Sequence, residues 1–265
     1  MRVLLVITLL LQVSAAQGQA DNKKVITLDE ALKLAYHNNP SALSDSGRKK
    51  LSSDIKSAWC LLLFKIHTWQ TLQDYQYLLG DLDRIATLRY QAGDVDLLEK
   101  SVFIGKLADV QTATAISANE IDITQNLLKQ LLFIDNEIIP ADTILLLYQI
   151  DKGLGNGQYL NNPQEPNVQG DTLLTRYKTF IAAKSIENKQ LILDGFFIRL
   201  QFYYSFGLAH AETILQTSQV KFETEEIEYL EYTETITEAF KTKLEYLETL
   251  NNYNQNAIYL EYYAY

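Results

Sequence analysis

Apolar positions recur every three or four residues over two long stretches of the chain, and each stretch is interrupted at a corresponding place. Near the start, Thr27 stands at a cap position with Glu30 three residues on. Leu28, Ala31, Leu32, Ala35 and Tyr36 then follow at helical intervals before Pro40, which predicts a short helix. Ser41 to Lys50 is polar and breaks the pattern. Leu51 to Tyr90 runs without proline and sets Leu78, Leu82, Ile85 and Leu88 on one stripe, with Gly93 as the stop. From Asp94 the spacing resumes through Leu98, Val102, Ile116, Ile123, Leu127, Leu131 and Ile134, and Pro140 is its expected end. Gly153 to Gly170 carries four glycines and two of the four prolines and reads as a linker. A second pair of arms follows, Asp171 to Phe222 and Glu226 to about Tyr263. The last of these steps through Leu230, Thr237, Phe240, Leu244, Leu247, Asn251, Asn254 and Ile258. Asparagines in such a seam set register in coiled coils or face water.

The two halves copy one another. LRYQAGDVDLLEK (Leu88 to Lys100) aligns with VKFETEEIEYLEY (Val220 to Tyr232) at an offset of 132 residues. Tyr90 matches Phe222, Asp94-Val95-Asp96 matches Glu226-Ile227-Glu228, and Leu98-Glu99 matches Leu230-Glu231. Asn38-Asn39-Pro40 is echoed by Asn161-Asn162-Pro163. Internal repetition decides architecture before local preference does, so the expected fold is all-α, two tandem long helical hairpins. The expected divisions are a leader over 1–20, hairpins over 21–150 and 171–265, and the linker over 151–170.

Composition narrows the function. Arg2 precedes an apolar run from Val3 to Leu11, and small and polar residues end at Gly18-Gln19-Ala20. This is the layout of a secretory signal peptide, with the mature chain starting near Asp21, and a buried N-terminal helix is the alternative. An exported chain is therefore the expectation. No later segment has the 18 or so uninterrupted apolar residues of a membrane helix. Cys60 is the single cysteine, so packing rather than disulfides must stabilise the fold. Net charge is −10, with seven carboxylates and no Lys or Arg between Glu223 and Glu238, which disfavours nucleic acid as a partner. That acidic stretch either attracts cations or basic partner residues, or is a solvated helix face. His37, His67 and His210 are dispersed, so neither a metal site nor a cofactor is expected. Gly153-Leu154-Gly155-Asn156-Gly157 lacks the lysine of a phosphate loop, and no enzyme signature is present.

Several segments have a more specific character. ITLDEALKLAYHNNPS (Ile26 to Ser41), AWCLLL (Ala58 to Leu63), LRYQAGDVDLLEK, FGLAHAETIL (Phe206 to Leu215), EEIEYLEY (Glu225 to Tyr232) and KLEYLETLNNYNQNAIYLEY (Lys243 to Tyr262) resemble the TolC family of outer-membrane efflux ducts, in its heavy-metal cation branch. The resemblance implies a TolC-like α-barrel protomer and a passive conduit for metal cations or small molecules. It implies a homotrimer that joins a periplasmic adaptor protein and an inner-membrane RND pump. A pore-free periplasmic scaffold that docks an adaptor is the alternative reading.

By the same resemblance the adaptor-docking tips are Arg89, Gly93 and Asp94 in the first copy, and Glu225 and Glu226 in the second. Glu225 stands where the family has glycine, and loss of the positive φ that glycine supplies is expected to lengthen or distort that turn. The family's membrane β-strands are largely missing. Phe196 to Tyr204 alternates as a strand would, but it also reads as a helix face continuous with FGLAHAETIL, and helix is the expectation.

Overall fold

A computed structural model describes residues 23–93, 96–150 and 173–264. The leader and the linker expected from the sequence lie outside them. In chain order the elements are β1 (Lys23–Ile26), α1 (Leu28–Asn38), a 3₁₀ turn (Pro40–Leu43), α2 (Asp45–Ala92), α3 (Leu97–Leu132), β2 (Glu137–Pro140), α4 (Leu173–Phe202), a π turn (Tyr203–Gly207), α5 (Leu208–Glu223) and α6 (Tyr229–Ala264). The chain divides into two units, Met1–Trp59 with Asp122–Ile144, and Cys60–Ile121 with Leu145–Tyr265.

The first unit begins with the expected capping box. The Thr27 hydroxyl accepts from the Glu30 amide at 3.2 Å, and the Glu30 carboxylate accepts from the Thr27 amide at 2.8 Å. The bond from the Thr27 amide, and after it one from the Thr27 hydroxyl to the same carboxylate at 3.3 Å, hold the Glu30 carboxyl below its ordinary range. Ala31 and Ala35 are fully buried, so small side chains let α1 approach its neighbours closely. The polar stretch after Pro40 starts a helix sooner than its composition suggests. Ser44 accepts the Gly47 amide at 3.0 Å as an N-cap, so α2 begins at Asp45 rather than Leu51.

The other end of the first hairpin also departs from expectation. Here α3 stops at Leu132, not Pro140, because Phe133 takes a left-handed φ of 53°. The Phe133 and Ile134 amides close the helix onto the Gln130 and Lys129 carbonyls at 3.4 and 3.1 Å. The Asn38 amide caps the same end, donating to the Leu132 carbonyl at 3.0 Å. Residues 137–140 then pair in parallel with β1, Lys23 opposite Glu137 through Ile26 opposite Pro140. This small sheet was not expected in an all-α chain. It forms where β-branched Val25, Ile26, Ile138 and Ile139 coincide, residues that favour extended backbone.

In the second unit α6 is the helix against which α4 and α5 pack, joined by the π turn. Phe196 to Tyr204 is helical, as expected, and the π turn explains why its spacing is ambiguous. Within that turn a Cβ on Gly207 would lie 2.9 Å from the Tyr203 ring, so glycine is needed for the bulge to close. On α6 the expected seam positions Phe240, Leu247, Asn251, Asn254 and Ile258 are buried. Leu230 is exposed and Tyr229 buried instead, and on α2 Leu88 is exposed while Leu82 is buried.

Asn254 is 0% exposed and resolves the open question about the seam asparagines. Its amide donates to the Leu146 carbonyl at 2.9 Å and its oxygen accepts from the Tyr148 amide at 2.7 Å. The extended segment Leu145–Ile150 is thereby tied to α6, and the Leu145 amide donates to His67 Nε2 at 3.3 Å on its way. Removing the carboxamide takes one hydrogen bond from each of two backbone groups, at roughly 1–3 kcal/mol each. Asn254→Ala is therefore expected to destabilise the chain by about 2 kcal/mol or more, and Asn254→Gln to recover none of it. Urea-unfolding midpoints measure both.

Candidate docking tips

Two helix exits form the candidate site, and they are built the same way. At the first, Gly93 has a φ of +85° and its amide donates to the Tyr90 carbonyl at 3.1 Å. At the second, Glu225 has a φ of +60° and its amide donates to the Phe222 carbonyl at 3.2 Å. The Glu226 amide completes the motif with a bond to the Lys221 carbonyl at 2.8 Å. Gly93 and Glu225 are 132 residues apart, as are Tyr90 and Phe222, so the sequence repeat is also a repeat of backbone conformation. The helices that follow start at Leu97 and Tyr229, again at the same offset.

The expectation that glutamate would lengthen or distort the second turn is therefore overturned. Glu225 keeps the left-handed conformation despite its Cβ, at a cost of roughly 1–2 kcal/mol, and that φ turns the Glu226 amide back onto the Lys221 carbonyl. The Thr224 hydroxyl adds bonds to the Val220 carbonyl and the Glu226 carboxylate, both at 3.0 Å.

Beneath the turns lies an aromatic stack. The Phe222 ring stacks on Tyr232 at 4.7 Å with planes 11° apart, and Tyr229 lies 5.1 Å from Phe103. Deeper in, Tyr75 stacks on Phe240 at 4.5 Å and its hydroxyl bonds Thr237 at 2.7 Å. The buried Tyr229 hydroxyl donates to the Leu82 carbonyl at 2.6 Å, which ties the start of α6 to the last turns of α2. Burial pushes the Tyr232 phenol above its ordinary pKa, and the Glu223 carboxylate adds to the shift. It stays neutral across physiological pH.

Arg89 is half-buried with its guanidinium 5.7 Å from the centre of the Phe222 ring, so a residue of the first turn covers the aromatic of the second. In the first copy the roles repeat at the surface, with Lys100 over Tyr90 at 4.9 Å. The structure thus brings Arg89, Gly93, Glu225 and Glu226 to one end of this unit, Glu225 and Glu226 exposed. Asp94 lies outside the described residues. Residue spacing did not single out Phe103, Tyr229 and Tyr232; the signal for them was the repeated aromatic at positions 90 and 222, which marked the layer they belong to.

The architecture is a TolC-like helical fold of two tandem hairpins. No family profile matches the chain, and no curated protein matches it. A solved structure described as "Crystal structures of CusC review conformational changes accompanying folding and transmembrane channel formation" is similar, with a TM-score of 0.61 and 12% identity. The match covers 88% of this chain and 72% of that one. At such identity the likeness is one of fold.

The two left-handed residues predict opposite responses. Gly93→Ala is expected to destabilise by about 1–2 kcal/mol, and Glu225→Gly to stabilise by about 1 kcal/mol. Both are read as shifts in the chemical-denaturation midpoint. Equal signs would contradict the equivalence of the turns.

Proposed function

We propose that the protein is a component of an outer-membrane efflux duct, a passive conduit whose paired helix turns dock a periplasmic adaptor of an RND-type export system. One observation carries this reading beyond the fold: the helices expose apolar stripes at coiled-coil spacing that no described element covers. On the outer side of α4, Tyr177, Ile181, Leu191, Ile198 and Phe202 lie on one line of alternating three- and four-residue steps that Lys184, Asn188 and Gly195 interrupt, and all five are exposed. Along α3 the exposed residues Ser101, Gly105, Ala108, Thr112, Ala115 and Asn119 keep the same spacing, mostly with small side chains, and Ile104 and Ile116 beside them are exposed too.

Exposed bulky side chains such as those along α4 are unfavourable in water. A bulky seam and a small-residue seam on different faces of one chain fit each other head to tail, and head-to-tail contacts that close make rings. The resemblance in sequence makes that ring a homotrimer, with a water-filled passage between protomers. The acidic second turn, with Glu223, Glu225, Glu226 and Glu228 all exposed, suits an adaptor that presents basic residues. The resemblance in sequence extends this reading to metal cations or small molecules as cargo. A pore-free periplasmic scaffold is the alternative, and it requires the same turns but no ring.

Two measurements test the proposal. Ile181→Glu with Ile198→Glu is expected to abolish cross-linked trimers while leaving the thermal midpoint within a few degrees, since both side chains are exposed. Glu225→Lys with Glu226→Lys is expected to lower adaptor capture at least tenfold without affecting the trimer. A wild-type chain recovered as a soluble periplasmic monomer would replace the duct with the scaffold.

A further inference from the structure

One edge of the small sheet is sealed and the other is open. The Ala141 amide donates to the Ile26 carbonyl at 2.8 Å, with Ile26 opposite Pro140 in the register. In a parallel ladder one residue turns both its N–H and its C=O to the neighbouring strand, and the next turns both away. Ile26 and Lys24 therefore bond β2, while Lys23 and Val25 direct their backbone groups to the far side. On β2 the same alternation turns Ile138 outward, and there Gln125 closes the edge. Its side-chain nitrogen donates to the Ile138 carbonyl at 2.5 Å and its oxygen accepts from the Ile138 amide at 3.1 Å. Among the described residues β1 has no such stand-in, and Val25 on that edge is 63% exposed.

We propose that the outer edge of β1 accepts an extended, acidic segment of a partner protein as a third strand. Two strands make a marginal sheet, and a third adds a row of backbone hydrogen bonds. The charge on the edge selects the occupant. Lys24 is exposed, and Lys23 lies 3.4 Å from Glu137 with both side chains about half exposed. Lys24 projects to one face of β1 and Lys23 and Val25 to the other, so an incoming strand that alternates carboxylate and apolar residues sets a carboxylate against Lys24 while its apolar residue covers Val25. A second copy of β1 fits poorly, because self-pairing would crowd four lysines onto one short ladder. The site lies in the first unit and does not depend on the duct reading.

The test is fluorescence anisotropy of the full chain with end-capped, labelled Glu-Val-Glu-Val-Glu, and with Lys-Val-Lys-Val-Lys as control. Saturable binding of the acidic peptide alone is expected, weakened by salt. Val25→Pro removes an N–H that the intramolecular ladder does not use, so it should keep the circular dichroism and thermal midpoint of the parent. It should weaken the acidic peptide at least tenfold. If Val25→Pro fails to fold, Lys24→Glu serves instead, and should reverse the preference from the acidic to the basic peptide. No binding by the parent chain, unchanged affinity in the folded Val25→Pro variant, or no change of preference with Lys24→Glu overturns the proposal. Self-association that Val25→Pro abolishes overturns it too, by giving the edge to a second copy.

Discussion

The contact on which the second unit depends is the Phe222 ring, held between the Arg89 guanidinium and the Tyr232 phenol. Long antiparallel helices are joined only at their turns, and nothing in helix geometry makes two hairpins end at the same height. An aromatic residue three positions before the second turn, covered by a cation four positions before the first, fixes one hairpin against the other. The Tyr229 hydroxyl on the Leu82 carbonyl locks the same register from the other side, since shifting either helix by a residue would bury a phenol without its acceptor. Stacking of this kind is worth roughly 0.5–1.5 kcal/mol per pair beyond area. Its value here is that it acts at the end of the lever, where misalignment is greatest.

The turns themselves show how backbone demands can outlast side-chain change. Gly93 and Glu225 adopt the same left-handed conformation, although only glycine does so freely. A helix exit that must reverse direction within four residues has one low-cost hydrogen-bond closure, so the chain tolerates local strain in glutamate rather than open the turn. The exchange has a chemical consequence: the second copy carries a carboxylate where the first has glycine, so the acidic residues shared by both turns are joined by one more in the second.

Much of this was legible in the sequence, and the exceptions have physical reasons. Repetition marked the two hairpins and the turn positions, because a 132-residue offset preserved residue character, aromatic at 90 and 222 and acid-aliphatic-acid at 94–96 and 226–228. The start of α2 was hidden because Ser44 acts through one hydrogen bond in an otherwise polar run. The end of α3 was hidden because Ile134 continues the apolar spacing while Phe133 ends the helix. The sheet escaped notice because four-residue strands carry almost no period. In both units, extended backbone is satisfied by buried or half-buried carboxamides, Gln125 on Ile138 and Asn254 on Leu146 and Tyr148. Spacing marks such residues only as polar interruptions in a helix. Which backbone they reach is a property of the folded chain.

The claim that everything else rests on is that the two helix turns share one end, held by the layer around Phe222. Spin labels at the exposed positions Gln91 and Glu223, in a chain whose buried Cys60 is replaced by alanine, measure it directly by pulsed dipolar spectroscopy. Helices packed at roughly 8–10 Å between axes predict a narrow distribution centred on the order of 20 Å, broadened when Phe222 is replaced by alanine. A broad distribution in the parent chain, or a separation beyond roughly twice that, would contradict the account.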